Sequence, residues 1–388
     1  MRLGLFVDAH FRSEGDRVFC ESSALAFGRF AAAVGEEFDS FTLIGRGTDD
    51  PALAPYPMEE GVRLHPLPHY GSLRDLLGVA RAIPPTIRAL WRALGKVDLV
   101  WISASNPIGL ILAGLAFLRR RRVAVLVRQD SMDYFRRRLP SRRWAPLLVP
   151  LWVIDWMYRA LGRRVPTTVV GPAIAAAYRA PRYNVLEFIV GLTKADELAK
   201  SPRDREWSEP VRLLTVGRVE QEKNPLLLVD VIEELEREDP GRYLATWAGD
   251  GEMRKELIEE ASRRGLADRI EMPGFVQFGE PLFALYREAD AFVHTSLTEG
   301  VPGVLVEAMA HGLPIVATDV GGIRLQSGDG HAALLVPPDD ALALAAGIRR
   351  LDRDRRFRRQ IAVNGLENAG YLTLEAQSKR VADFLREN

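Results

Sequence analysis

The sequence predicts an α/β chain built as two Rossmann-like units, each a parallel sheet with helices on both faces. Three observations predict this. Strand-like and helix-like stretches alternate along the chain, an order that lays consecutive strands parallel with helical crossovers between them. The alternation breaks in the polar run T-K-A-D-E-L-A-K-S-P-R-D-R-E-W-S-E-P and restarts at Val211. The chain has 388 residues, more than one ordinary core serves. An apolar content of 47% with 27% charged residues is globular and argues against a disordered or fibrous chain. The expected organisation is a first domain over 1–192, a linker over 193–210, a second domain over 211–370 and a closing helix over 371–388.

The elements follow in order. L-G-L-F-V is a strand, a helix is expected across 18–34, and F-T-L-I-G is the next strand. V-R-L-H-P-L follows, then a helix over 73–94 and the strand V-D-L-V-W-I. Asn106-Pro107 is a helix start, since proline at the first turn gives up an amide that has no partner there. V-A-V-L-V-R, T-T-V-V-G and V-L-E-F-I-V-G complete the first half. In the second half V-R-L-L-T-V reads as a buried strand. A helix P-L-L-L-V-D-V-I-E-E-L, the strand Y-L-A-T-W, the short strand R-I-E and the strand A-F-V-H come after it. A helix starts at Pro302 and stops at Gly312, with Pro314 just beyond. The last helix runs from about Leu374.

Function is written most densely between residues 294 and 322. Two carboxylates, Glu299 and Glu307, stand eight positions apart, one in the turn after A-F-V-H and the other inside the helix. A strand end, an open helix N-terminus and a second carboxylate face a common pocket. Such a pocket offers amides to an anion and two acceptor-only groups to sugar hydroxyls. Gly303 lies four before Glu307 on the same helical face, so no side chain covers the carboxylate there. The bland reading keeps Glu299 as a helix cap and Glu307 as a solvated surface residue.

A second motif lies at the end of V-R-L-L-T-V. Arg218 and Lys223 flank the βα loop G-R-V-E-Q-E-K-N-P, at the carboxyl end of a strand, where open α/β sheets bind ligands. A planar guanidinium grips phosphate oxygens in pairs and an ammonium acts as a point charge, so the two can neutralise a diphosphate without a metal. Two weaker signals lie between the motifs. Gly249 opens a Gly-Asp-Gly turn, which is either turn chemistry or ligand contact. Phe275 follows Met272-Pro273-Gly274 and reads from the residues as a core aromatic.

Glu299 and Glu307, with seven residues between them and followed by A-M-A-H-G-L-P-I-V-A-T-D-V-G-G, resemble family 4 of the retaining glycosyltransferases with the GT-B fold. The resemblance implies two Rossmann-like domains facing across a cleft, with the C-terminal helix crossing back to the first. It implies transfer of a sugar from a nucleotide diphosphate sugar to an acceptor hydroxyl with retention, without cofactor or metal. Arg218 and Lys223, matching G-R-x-x-x-x-K-N, would hold the diphosphate. Glu299 would contact the donor sugar, Glu307 the ribose, and backbone amides around Gly300, Gly303, Val304 and Leu305 the sugar and phosphate oxygens. Phe275 would lie against the base. The chain has G-V-P-G where many members have G-F-G, so Pro302 removes one amide donor. A nucleotide-sugar epimerase of the same fold, or a non-catalytic nucleotide-sugar-binding protein, stays open as an alternative. The one Asp-x-Asp, Asp352-Arg353-Asp354, is expected to be solvated.

The first domain departs from the family pattern. A double-glycine loop usually follows the first strand close to the donor phosphates; here Arg12-Ser13-Glu14-Gly15-Asp16 holds only Gly15. Where many members carry a His-Asp pair, this chain has Arg128-Gln129-Asp130-Ser131. Asp130 is a candidate for the acceptor hydroxyl or simply a helix cap, and His10 is its rival. Residues 1–190 hold 26 basic and 17 acidic side chains, while 119–182 alone hold 15 basic and 3 acidic. The basic, tryptophan-bearing stretch 136–164 reads as a membrane-interface segment, as an ordinary buried helix with solvated arginines, or as a pocket for an anionic acceptor; a lipid-linked acceptor goes with the first. No nucleic-acid motif accompanies the charge. The single cysteine, Cys20, excludes an internal disulfide and fits a buried small hydrophobe. With a start too short in apolar residues for a leader and no run of ~20 apolar residues, the expected place is the cytoplasm, at the inner membrane face if the interface reading holds.

Overall fold

The computed structural model describes residues 1–68, 76–128, 148–171, 174, 175, 178, 185–202, 206, 207 and 209–388, with 76–81 described as backbone only. The chain divides into two compact units, Met1–Leu192 with Gln377–Asn388, and Thr193–Ala376. Residues 193–210, expected as a linker, thus go with the second unit: the Ala199 amide donates to the Ala310 carbonyl at 2.7 Å, and Thr193 accepts from the Leu374 amide at 2.8 Å.

The first unit runs β1 (Arg2–Glu14), β2 (Arg17–Cys20), α1 (Ser22–Glu36), β3 (Ser40–Gly47), β4 (Tyr56–Pro57), β5 (Arg63–Leu67), α2 (Leu76–Ala93) and β6 (Leu99–Ser103). Then come α3 (Pro107–Leu118), β7 (Arg122–Val127), α4 (Val149–Gly162), β8 (Thr167–Val170) and β9 (Val185–Phe188). Its parallel strands lie in the order β5-β3-β1-β6-β7-β8-β9. Helices cover both faces, so the central strands are buried and near-continuously apolar, as L-V-W-I in β6 and V-A-V-L-V in β7 show. Asn106 caps α3 by accepting from the Ile108 amide at 2.7 Å.

The start of this unit differs from the expectation. Residues 17–20 form a strand, and the helix begins only at Ser22. β1 continues past the apolar run to Glu14 and folds back antiparallel, with Glu14 paired to Arg17 across a two-residue turn. Gly15 takes φ +60 in that turn, where a glycine is unstrained. The polar residues of D-A-H-F-R-S-E hid the strand's continuation. Cys20 is fully buried, and burial pushes its thiol up to about 11, consistent with an inert core residue.

The closing helix Leu374–Glu387 sends Val381, Ala382 and Leu385 into the core of the first unit. Gln377 accepts from the Ile189 amide at 3.1 Å, and Arg122 donates to the Leu385 carbonyl at 2.9 Å.

The second unit contains β10 (Val211–Val216), α5 (Pro225–Glu238), β11 (Tyr243–Ala248), α6 (Arg254–Arg263), β12 (Ile270–Gly274) and α7 (Glu280–Glu288). It continues with β13 (Ala291–His294), α8 (Gly303–Ala310), β14 (Ile315–Thr318) and β15 (Leu334–Val336). All strands are parallel, in the order β12-β11-β10-β13-β14-β15. The order reverses between β10 and β13, and the crevice at the carboxyl ends of such a pair is where doubly wound sheets take ligands. Both candidate motifs leave the sheet at those two strand ends.

Candidate active site

The loop after β10 and the loop after β13 are stitched together. Thr295 Oγ1 donates to the Lys223 carbonyl at 2.8 Å, and the Leu297 amide donates to the Glu222 carbonyl at 2.9 Å. Lys223 pairs through Nζ with Glu299. Asn224 turns the chain into α5 in the left-handed region, φ +50, leaving Pro225 at the first helical position. Sequence segments more than seventy residues apart thus form one wall.

Glu299 is the most tightly held group in it. Its Oε1 accepts from Ser296 Oγ at 2.8 Å and from His294 Nε2 at 3.0 Å, besides Lys223. Burial alone would raise its carboxyl, but the His294 hydrogen bond and the Lys223 charge outweigh burial and hold it at about 2. Glu299 is therefore a fixed anion with one edge already committed, and the cap reading does not describe it.

Glu307 has the opposite environment. Burial raises its carboxyl to about 7, opposed by the hydrogen bond from Tyr286 Oη at 2.8 Å. Tyr286 is fully buried and stacks on His311 with ring centroids 5.0 Å apart. The His311 ring in turn bonds the Glu307 carbonyl through Nδ1 at 2.8 Å. The solvated-surface reading of Glu307 is overturned. A Cβ on Gly303 would lie 3.8 Å from Glu307 Oε1, so the glycine leaves the space above the carboxylate clear.

The helix between the two carboxylates starts one residue later than expected. Pro302 is the N-cap, extended at φ −73 and ψ 121, and α8 begins at Gly303. The Leu305 amide folds back on the Pro302 carbonyl at 3.3 Å and its side chain is core, which takes Leu305 out of the donor set expected around it. The first-turn amides of Gly303 and Val304 have no intrahelical acceptor and remain for a ligand.

The turn bearing Glu299 is held from the far side by V-G-G. The Gly322 amide donates to the Gly300 carbonyl at 2.8 Å. Gly321 sits at φ +57, and a Cβ there would fall 1.8 Å from the Glu299 carbonyl oxygen. Gly321→Ala is expected to displace Glu299 and to cost ~1 kcal/mol or more of stability from the backbone conformation alone. Urea unfolding and nucleotide titration of the variant check this.

Arg218 is exposed and paired with Glu220 and, at 2.6 Å, with Glu222. Gly249 backs this loop: a Cβ on it would meet the Gly217 carbonyl oxygen at 1.8 Å, and the Val219 amide donates to the Asp250 carbonyl at 2.9 Å. Its demonstrated job is close approach of two backbones. The Gly249 amide also donates to the Gly274 carbonyl at 2.8 Å, which sets Phe275 beside the turn. Phe275 is 77% exposed, so it is no core aromatic.

Gly15 lies at the tip of the hairpin, in no loop leading to a helix. The His10 ring bonds Glu21 through Nδ1 at 2.8 Å. Asp130, the arginines 136–143 and Trp144 lie outside the described residues. Asp352, expected to be solvated, is buried: Arg242 donates to it at 2.5 and 2.7 Å and Tyr243 Oη at 2.9 Å. Asp354 caps the next helix by accepting from the Phe357 amide at 2.9 Å. Among the described residues no cluster of three or more His, Cys, Asp and Glu groups could hold a metal.

His294, Ser296, Tyr286 and His311 were not singled out by sequence reasoning. His294 and Ser296 stand five and three residues before Glu299, at the mouth of an apolar strand, and that spacing was a usable signal. Nothing in the sequence connects Tyr286 with Glu307.

Residues 199–368, which contain Arg218, Lys223, Glu299 and Glu307, match the family model for Glycosyl transferases group 1 and form such a domain. The D-inositol 3-phosphate glycosyltransferase of Nocardia farcinica is 38% identical over 160 residues, 38% of this chain and 35% of that protein. The lipopolysaccharide core biosynthesis glycosyltransferase LpsE of Rhizobium meliloti is 29% identical over 199 residues, 51% of this chain and 54% of that protein. The chain spans about half, or less, of the length of the curated relatives it matches. The structure of Anabaena HepE in complex with UDP superposes with a TM-score of 0.69 at 18% identity, covering 100% of both chains. That of WaaG, a glycosyltransferase involved in lipopolysaccharide biosynthesis, gives 0.67 at 15% identity, again over 100% of both. The fold is that of GT-B glycosyltransferases.

Proposed function

We propose that the chain is a retaining, metal-independent glycosyltransferase of family 4, taking its sugar from a nucleotide diphosphate sugar. The observation that carries the reading is the Lys223–Glu299 pair at the switch point of the second sheet, with Arg218 on one side and the open N-terminus of α8 on the other. Arg218 exchanges Glu220 and Glu222 for the diphosphate, and Lys223 and the Gly303 and Val304 amides complete its charge compensation. Glu299 orients the donor sugar, Glu307 takes the ribose hydroxyls, and Phe275 offers a face to the base. The bond from the anomeric carbon to the diphosphate breaks, leaving the nucleotide diphosphate. The acceptor oxygen bonds the same carbon from the same face, and its proton passes to the departing phosphate oxygen. Charge developing on the leaving group meets cations already in place, the arrangement that contributes most to such catalysis.

The test is incubation with UDP-, GDP-, ADP- and dTDP-sugars labelled in the sugar, with and without hydroxyl acceptors. Labelled product that needs an acceptor and keeps the anomeric configuration supports the reading. Conversion of the donor to an epimer without acceptor supports the epimerase instead. Binding of every donor with no turnover would leave a binding protein.

The proposal extends to a membrane surface. α4 exposes Val149, Trp152, Val153, Trp156 and Met157, spaced along one helical face. The arginines 136–143 precede that helix in sequence. Exposed tryptophans preceded in sequence by a basic run suit an anionic lipid interface. No helix among the described residues is long and apolar enough to cross a membrane. Co-sedimentation with phosphatidylglycerol vesicles, abolished in Trp152→Glu/Trp156→Glu, is the expected result. Equal sedimentation of the double variant would exclude this face.

A further inference from the structure

The first sheet has its own switch point, between β1 and β6, and a cavity of about 340 Å³ opens at the carboxyl ends of those strands. It is lined by Asp8 on β1, Ser23 on the first turn of α1, Ser103 at the end of β6, Ser105 and Asn106 just after it, and Arg128 after β7. The loop after β6 is fixed in an unusual shape. Ser105 takes φ +80, rare for a residue with a side chain, and the Ala104 amide donates to the Leu126 carbonyl at 2.7 Å. Such conformations persist where the surroundings enforce them and cluster at ligand sites.

The charges in this cavity are unevenly satisfied. Asp8 is met by Arg46 at 2.9 Å and by the Asn106 side-chain amide. Close by, Glu21 is held by the His10 ring and by Ser23. Arg128 has no such partner among the described residues. Its guanidinium lies over the Phe27 ring, 4.5 Å from the centroid, and no hydrogen bond or ion pair reaches it among the described residues. It is partly withdrawn from water, and burial lowers its pKa from the ordinary arginine value. Arginine stays charged in such surroundings. A stacked, partly desolvated cation facing a polar cavity therefore lacks, among the described residues, the anion that would offset its desolvation. The ring fixes the plane of the fork, leaving its edge for a planar or tetrahedral oxyanion.

We infer that this cavity binds a monosaccharide-sized polyol carrying a carboxylate or phosphate, with Arg128 on the anionic group and Asp8 and the serines on hydroxyls. Calling that ligand the sugar acceptor rests on the transferase reading; the anion site itself does not.

Calorimetric titration with glucuronate, glucose 6-phosphate and glucose tests the site, the two charged sugars separating a carboxylate ligand from a phosphate one. Wild type is expected to bind at least one charged sugar at least tenfold more tightly than glucose. Arg128→Gln should bring all three within about twofold of one another, and Arg128→Lys, which keeps charge without the fork, should fall between. Circular dichroism confirms that the variants fold; if Arg128→Gln does not, the wild-type preference and the lysine variant still decide. Equal binding of glucose and both charged sugars, binding of none, or unchanged preference in the variants overturns the inference. Charged-sugar binding that depends on Arg128, with no transfer from any nucleotide sugar, would keep this site and remove the transferase reading.

Discussion

Lys223→Ala is expected to slow sugar transfer by ~10²–10³-fold, the scale seen when one preorganised charge donor is lost from a transition state. The chain should remain folded, because Lys223 is only part of a surface wall that its backbone continues to form through Thr295 and Leu297. Two effects act together. The diphosphate loses its point charge, and Glu299 loses one of its three donors while His294 and Ser296 remain. With the Lys223 charge gone, the Glu299 carboxyl must rise from about 2. His294 and Ser296 keep it ionised at neutral pH, so the loss falls on the chemical step more than on donor binding. Lys223→Arg restores charge but not the compact ammonium and should recover activity in part. Single-turnover transfer with labelled donor, beside circular dichroism, gives the answer. Undiminished turnover in Lys223→Ala would remove Lys223 from the chemistry.

The sequence made the second sheet and the cationic loop legible for one physical reason. β13 and β14 are buried along their whole length and β10 from Leu213 to Thr215, so the apolar residues of each strand stand together, and a loop containing glycine follows each. Past the apolar run, the start of the chain carries no such signal. β1 leaves the core partway along, its outer half alternates polar and apolar residues, and the hairpin to β2 looked like a loop and a helix start. At the site, Glu299 and Glu307 were legible as residues and not as a contrast. Their difference is set by His294, Lys223 and Ser296 on one side and Tyr286 on the other, partners that only the fold brings near. Pro302 shows the finer limit: proline suits both the N-cap and the first turn, and one residue of offset decides which amide is free. Asp352 was placed in solvent because its neighbours are charged. Arg242 and Tyr243, some 110 residues earlier, bury it.

Glu307→Gln is expected to stabilise the protein at pH 8 and to weaken donor binding, two effects of opposite sign from one carboxyl. The folded-state value of Glu307 stands at about 7, above the 4.5 of a free glutamate. Between those values the folded chain holds a proton that the unfolded chain has lost, so stability falls as pH rises from 4.5 towards 7. The full penalty, up to about 3 kcal/mol, is present above pH 7 and absent below 4.5. Glutamine keeps an oxygen for Tyr286 and never ionises, so it removes the penalty: the variant should match wild type near pH 4.5 and exceed it at pH 8. Ribose hydroxyls, however, are better met by a carboxylate than by an amide. Wild-type affinity for the donor nucleotide should therefore rise between pH 6 and 8, as Glu307 gives up its proton. The variant should lose ~10–100-fold at pH 8, the worth of hydrogen bonds to a charged group, and should show no rise with pH. Urea denaturation at three pH values and nucleotide titration at the same values measure both. A variant no more stable than wild type at pH 8 would mean that Glu307 carries no burial penalty. A wild-type affinity flat with pH would mean that its charge is not what the ribose meets. The two results are separable, and together they distinguish a carboxylate buried for the sake of a ligand from one buried for the sake of the fold.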